Sequence, residues 1–164
     1  LERSTPSARA NARTDGDARD TASWNIVAKP GIVFSSLRLV ERGSWDISGP
    51  GPNSVSAATV FTANFAGIGG PATATTSDLF FRTAGPSGGT PWAFDLALDL
   101  SSDTPTSLHI SVDNHLIAIT NGEGDSCYIR KQLTGEIVQV EIIPEPTSLA
   151  LLALGLLGLV RRPR

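Results

Sequence analysis

The two histidines of the chain, His109 and His115, flank Asp113, and imidazole beside carboxylate is the combination used for acid–base catalysis and for metal binding. On an alternating strand His109 shares a polar face with Ser107, Ser111 and Asp113, and a turn expected at Asp113-Asn114 would set His115 across from it. No third ligand is specified, so exposed polar residues on a sheet face are the favoured reading. Gly85-Pro86-Ser87-Gly88-Gly89 fits the G-x-S-x-G pattern of a hydrolase nucleophile. That serine needs a strand before it and a helix after it, whereas Thr90-Pro91 and a strand follow here, so a glycine-rich loop is expected. Asp95, Asp99 and Asp103 recur every four residues. On a strand they lie about 13 Å apart, beyond the roughly 5–9.5 Å that two carboxyl groups keep around a glycosidic bond. Asn121-Gly122-Glu123-Gly124-Asp125 puts oxygen ligands on alternate residues, as calcium loops do, but without their length or closing bidentate glutamate. An ordinary Asn-Gly turn is expected. Of the tryptophans, Trp92 sits on an apolar stripe and belongs to the core, while Trp45, in a Gly/Ser/Pro-rich stretch, is the candidate for an exposed ligand contact that stacks on sugars. These residues make no catalytic set and no metal or cofactor site, and a non-enzymatic protein is expected.

The elements that would position them are strands. Trp92, Phe94, Leu96, Leu98 and Leu100 alternate with Ala93, Asp95, Ala97, Asp99 and Ser101, the mark of a half-buried antiparallel strand. Val55, Ala57, Thr59, Phe61, Ala63 and Phe65 share one face of another. The Lys29-Pro30-Gly31 turn separates WNIVA from IVFSSLRLV, and Gly49-Pro50-Gly51-Pro52 interrupts regular structure. GIGGPATATTSD is expected to be a loop, and residues 92 to 143 a meander with short, turn-coded connections. No convincing helical periodicity precedes residue 147, and about nine strands without βα alternation predict an all-β fold, an antiparallel β-sandwich or jelly roll, over 24–143.

Composition bounds the function. Residues 24 to 143 hold eleven acidic and six basic side chains, a net charge of five negatives, which repels phosphate backbones and excludes nucleic acid as a partner. The single cysteine, Cys127, makes no disulfide within the chain and is expected as a buried small hydrophobe. Residues 1–23 carry four acids, four arginines and no apolar run. They are expected to be disordered, with no signal peptide visible. The chain opens on Leu1 and contains no methionine, which points to a trimmed start, a non-standard start codon read as Leu or a misplaced gene start; either a signal peptide has been lost or the chain is not exported as written.

The last stretch has three parts. Pro144-Glu145-Pro146 stops the preceding strand. Thr147 to Val160 is uncharged and rich in Leu and Ala, and Arg161, Arg162 and Arg164 follow. A helix of those fourteen residues is about 21 Å long, short of a hydrocarbon core of roughly 30 Å, so it is a marginal transmembrane helix whose arginines snorkel and stay on the cytoplasmic side.

In order and spacing these parts resemble the PEP-CTERM sorting signal of Gram-negative bacteria. The resemblance covers residues 144–164 and implies export, a transient stay in the inner membrane, and processing near Pro-Glu-Pro by an exosortase, a transpeptidase-like membrane enzyme. A destination at the cell surface or in the extracellular matrix follows, with an association with exopolysaccharide and biofilm. It implies recognition through Pro144, Glu145 and Pro146. It implies a membrane helix of Leu149, Leu151, Leu152, Leu154, Leu156, Leu157, Leu159 and Val160, and stop-transfer by Arg161, Arg162 and Arg164. The chain would then be a substrate of processing and not a catalyst. A carbohydrate-binding, lectin-like jelly roll is the alternative, since SLHISVDNHLIAIT looks like the hairpin of lectin-like sandwiches, and a serine hydrolase is the least favoured reading.

Overall fold

Alternation of apolar and polar residues over long stretches commits this chain to strands, and the computed structural model, which describes residues 7–11, 15–67, 70–83, 89–132 and 138–144, contains no other regular element among them. The strands are β1 (Ser7–Asn11), β2 (Asp15–Val27), β3 (Ile32–Ser48), β4 (Ser54–Gly67), β5 (Gly70–Arg82), β6 (Thr90–Asp99), β7 (Ser107–Ile119), β8 (Ser126–Gln132) and β9 (Val138–Pro144). One sheet has the order β1-β8-β3-β6, with β9 also paired to β3, and the other has the order β2-β7-β4-β5. Every pairing is antiparallel. Apart from the β4–β5 and β8–β9 pairs, consecutive strands lie in opposite sheets. This is the double Greek-key winding of a jelly roll, so of the two expected topologies the jelly roll is the one formed.

The inner faces meet in two apolar clusters. One gathers Trp45, Ile47, Val55, Trp92, Phe94 and Ile129, and the other Leu37, Leu39, Phe61, Leu98, Ile110 and Val112. Burying each such side chain contributes about 1.5–3 kcal/mol. The expected stripes on β4 and β6 both point inward. Between the clusters runs a polar waist. Glu41 interrupts the inner stripe of β3 between Leu39 and Trp45, Thr59 that of β4 between Ala57 and Phe61, and Asn114 that of β7 between Val112 and Leu116; all three are buried. Asp20, Asn114 and Thr59 lie in one row across three strands.

The waist explains one departure from expectation. Asp113-Asn114 is not a turn, because Asn114 occupies an inward position and the period of two continues unbroken through β7. Three other expectations also give way. Residues 15–23, expected to be disordered before a fold starting at Trp24, form most of β2. That strand pairs residue by residue with β7, and its inward Ala18 and Ala22 are too small to register as an apolar stripe. Ser7–Asn11 likewise pairs with β8. GIGGPATATTSD is no loop from Gly70 onward; its threonines, β-branched and suited to a half-exposed edge, belong to β5 on β4. Finally, β3 runs without a break through Glu41-Arg42-Gly43, and Gly43 is needed there because an added Cβ would collide with the Arg130 carbonyl oxygen and the Trp92 ring.

Candidate functional site

The outer face of the β2-β7-β4-β5 sheet carries an array of exposed polar side chains, because each strand sends every second residue outward. Cross-strand pairs organise it. Thr21 Oγ1 donates to Asp113 Oδ1 at 2.7 Å, Thr73 Oγ1 to Asn64 Oδ1 at 2.8 Å, and Thr62 and Thr75 hydroxyls meet at 3.3 Å. His109 and His115 lie on this face as expected, but six residues apart on one strand, about 20 Å at ~3.3 Å per residue. Each has its own partner: His109 Nδ1–H donates to Asn25 Oδ1 at 2.8 Å and His115 Nε2–H to Asp17 Oδ1 at 2.9 Å. They are therefore not the cross-strand couple that a turn at Asp113 would have made.

Arg19, Thr21, Ala58, Val60, Asp113, Asn114 and His115 line an open depression of about 420 Å³ on this face. Arg19 Nε lies 3.8 Å from Asp17 Oδ1, and both side chains are more than half exposed. Beside the depression the register aligns Ala58 with Leu79 and Ser56 with Phe81. Leu79 and Phe81 are 67% and 52% exposed. A guanidinium, a carboxylate, an imidazole and a hydroxyl next to an exposed aromatic ring can hold a polyhydroxylated ligand by hydrogen bonds and ring stacking.

Trp45, the sequence candidate for that contact, is in the core instead, 3% exposed and 6.0 Å from the Phe80 ring. The cause is the continuity of β3, which carries Trp45 inward opposite Thr90 and Ile129. Trp92 is buried as expected, its ring 5.1 Å from that of Phe94 and tilted against it. The exposed aromatic that sequence reasoning missed is Phe81, and its signal was the Phe80-Phe81 pair: on a strand one ring must face in and the other out.

The remaining candidates hold the fold together. Asp95 takes a bidentate pair of hydrogen bonds from Arg38, at 2.7 and 2.5 Å, and that hydrogen-bonded guanidinium keeps its carboxyl below the usual carboxylate value of 3.8. Asp99 is also lowered, by the hydroxyl and then the backbone N–H of Ser101. In the Asn121–Asp125 loop, Asp125 is buried, and its Oδ2 accepts from Gly51 N at 3.0 Å and Asn53 Nδ2 at 2.9 Å. That carboxylate binds one loop to another. Among the described residues no group of three or more His, Cys, Asp or Glu is placed to hold a metal ion. Cys127 is buried, as expected, its thiol 3.3 Å from the Ile119 carbonyl oxygen. Ser87 lies outside the described residues.

At the other end of the molecule β9 pairs with the first half of β3 as far as Pro144, which lies opposite Ile32. Glu145, Pro146, the expected membrane helix of Leu149 to Val160 and the arginines Arg161, Arg162 and Arg164 lie outside the described residues. Among those described, no helix is long and apolar enough to cross a membrane.

No curated protein matches the chain. Among solved structures, infectious bursal disease virus, Gx strain, is similar at 12% identity over 90% of this chain, with a TM-score of 0.30; the chain spans 42% of that protein's length. TmCBM61 in complex with β-1,4-galactotriose is similar at 11% identity, 86% of this chain and 70% of that one, with a TM-score of 0.24. A structure of carbohydrate-binding modules from the β-sandwich superfamily is similar at 12% identity, 84% and 56%, with a TM-score of 0.23. Nothing about this chain's ligand follows from likeness at that level. The family match is of a different kind, being confined to the segment where β9 ends: residues 143–164 match the PEP-CTERM protein-sorting motif. The chain therefore carries a PEP-CTERM signal at its C-terminal end, the mark of exported proteins sorted by an exosortase.

Proposed function

We propose that this is an exported, non-enzymatic protein of the cell surface or extracellular matrix, cut from a transient inner-membrane anchor and associated with exopolysaccharide in a biofilm. The observation that carries this reading is the motif at residues 143–164, joined to a jelly roll in which His109, His115, Asp95 and Asp99 each hold a hydrogen bond within the fold. In this reading Pro144, Glu145 and Pro146 are recognised by the exosortase. Leu149 to Val160 holds the chain in the inner membrane, with Arg161, Arg162 and Arg164 on the cytoplasmic side. Expression in an exosortase-bearing host tests it: the mature protein should lack its C-terminal arginines, and Glu145→Ala should retain them in the membrane fraction. A mature wild-type protein that kept the arginines would overturn the proposal.

A second reading, a carbohydrate-binding module, is favoured by the depression on the β2-β7-β4-β5 sheet. The guanidinium of Arg19 and the ring of Phe81 would make the contacts, both being exposed and free of any role in the core. Retention of the chain on exopolysaccharide should fall at least tenfold in Arg19→Ala and Phe81→Ala with the thermal midpoint unchanged. Equal retention of wild type and both variants would eliminate this face as the binding site.

A further inference from the structure

The polar waist contains an amine and a carboxylate with no access to water. Glu41 on β3 and Lys131 on β8 have side chains 0% and 1% exposed. Lys131 Nζ donates to Glu41 Oε1 across 90 residues of sequence. Within their own sheet the pair's neighbours are apolar: Leu39 precedes Glu41 along the inner stripe of β3, Phe94 stands opposite it on β6, and Ile129 precedes Lys131 on the inner stripe of β8. Among the described residues Glu41 Oε2 has no hydrogen-bond partner, and neither has the buried Thr59 Oγ1 at the same boundary between clusters on the facing sheet.

A buried ion pair is favourable when its remaining lone pairs and protons are satisfied, and is otherwise costly to keep charged. This pair leaves one carboxylate oxygen unmet. Its two reacting groups are instead held in contact in a dry core, the arrangement that turns a bimolecular condensation into an intramolecular one.

We propose that Lys131 and Glu41 are joined in the folded chain by an isopeptide bond. One proton passes from Nζ to the carboxylate, and the neutral amine attacks Cδ of Glu41. The N–C bond forms as one C–O bond breaks, and that oxygen leaves as water. Ammonium and carboxylate together supply the two hydrogens and the oxygen of the water, and Nζ keeps one hydrogen as the amide N–H. No oxidant or cofactor takes part, and release of water from an apolar interior drives the step forward. Two buried charges are replaced by one neutral amide. With Cys127 as the single cysteine, this is the covalent tie available between sheet strands where a disulfide is not.

The test is mass spectrometry of the purified full chain under denaturing conditions. Its intact mass should be lower than its sequence requires by one water, and proteolysis should release a branched peptide pair linking Glu41 to Lys131. Lys131→Met should restore the full mass for its sequence. A wild-type digest yielding linear peptides, with Lys131 open to acylation after unfolding, would establish an ordinary ion pair and overturn the proposal. So would a loss of water that persists in Lys131→Met. The wild-type digest decides even if that variant does not fold.

Discussion

Asp125 does at one point what a turn sequence does over several residues. Its carboxylate gathers Gly51 and Asn53, and an added Cβ on Gly49, whose φ is +108°, would collide with it. Asn53→Ala should therefore cost about 1–3 kcal/mol, the range for stranding a buried polar group, read from urea midpoints. Trp45→Ala should cost about 3–5 kcal/mol as a core truncation and lower polysaccharide retention only as far as it unfolds the protein. At the exposed Arg38–Asp95 pair the sign of the pH effect is fixed. Asp95 has its folded value lowered, so its contribution is complete above the ordinary carboxylate value and fades as pH falls through the lowered one. Arg38→Gln should thus be less stable than wild type near neutrality, by a margin that salt shrinks, and indistinguishable in strong acid. A difference that grew on acidification would contradict this.

At the scale of elements, β4 and β6 were legible because their inward positions are almost all apolar, and the alternation shows itself. β7 was half legible: Asn114 belongs to the polar waist, and a polar residue at an inward position looks the same in sequence as the start of a turn. β2 was hidden by small inward residues and charged outward ones, and β5 by threonines at an edge. Trp45 was misplaced for a related reason, since Gly43 beside it signals a break in sequence while the structure uses it to admit the Trp92 ring. Of the candidate site, the histidine face was foreseen, but its depression depends on register among β2, β7 and β4, which no local pattern encodes. β9 yields a prediction of its own. It covers the first half of β3, where Leu37 and Phe34 pair with Val140 and Ile142. Ending the chain at Gln132 should uncover that edge, lower the urea midpoint and promote self-association through unpaired backbone groups. An unchanged midpoint would show that the sandwich is complete without β9.

The whole molecule combines an acidic body with a basic end, a distribution suited to a chain whose end rests against anionic lipid while its body stays clear of it. A tie between Glu41 and Lys131 would close a loop of 90 residues and remove about 4–5 kcal/mol of unfolded-chain entropy on the loop model. Lys131→Met should then lower the thermal midpoint more than the loss of one buried contact does.

The pairing of Pro144 with Ile32 also bears on how the protein would carry load if anchored as proposed. In the proposed anchored state, drag on the body would be transmitted through Pro144 into β9. Tension along the strand shears all its pairs with β3 at once, whereas tension across it peels them singly from the Pro144 end. Peeling consumes β9 and then meets β8, whose Lys131 is locked into the core against Glu41. In that state β9 would serve as a mechanical fuse, yielding before the sandwich behind it.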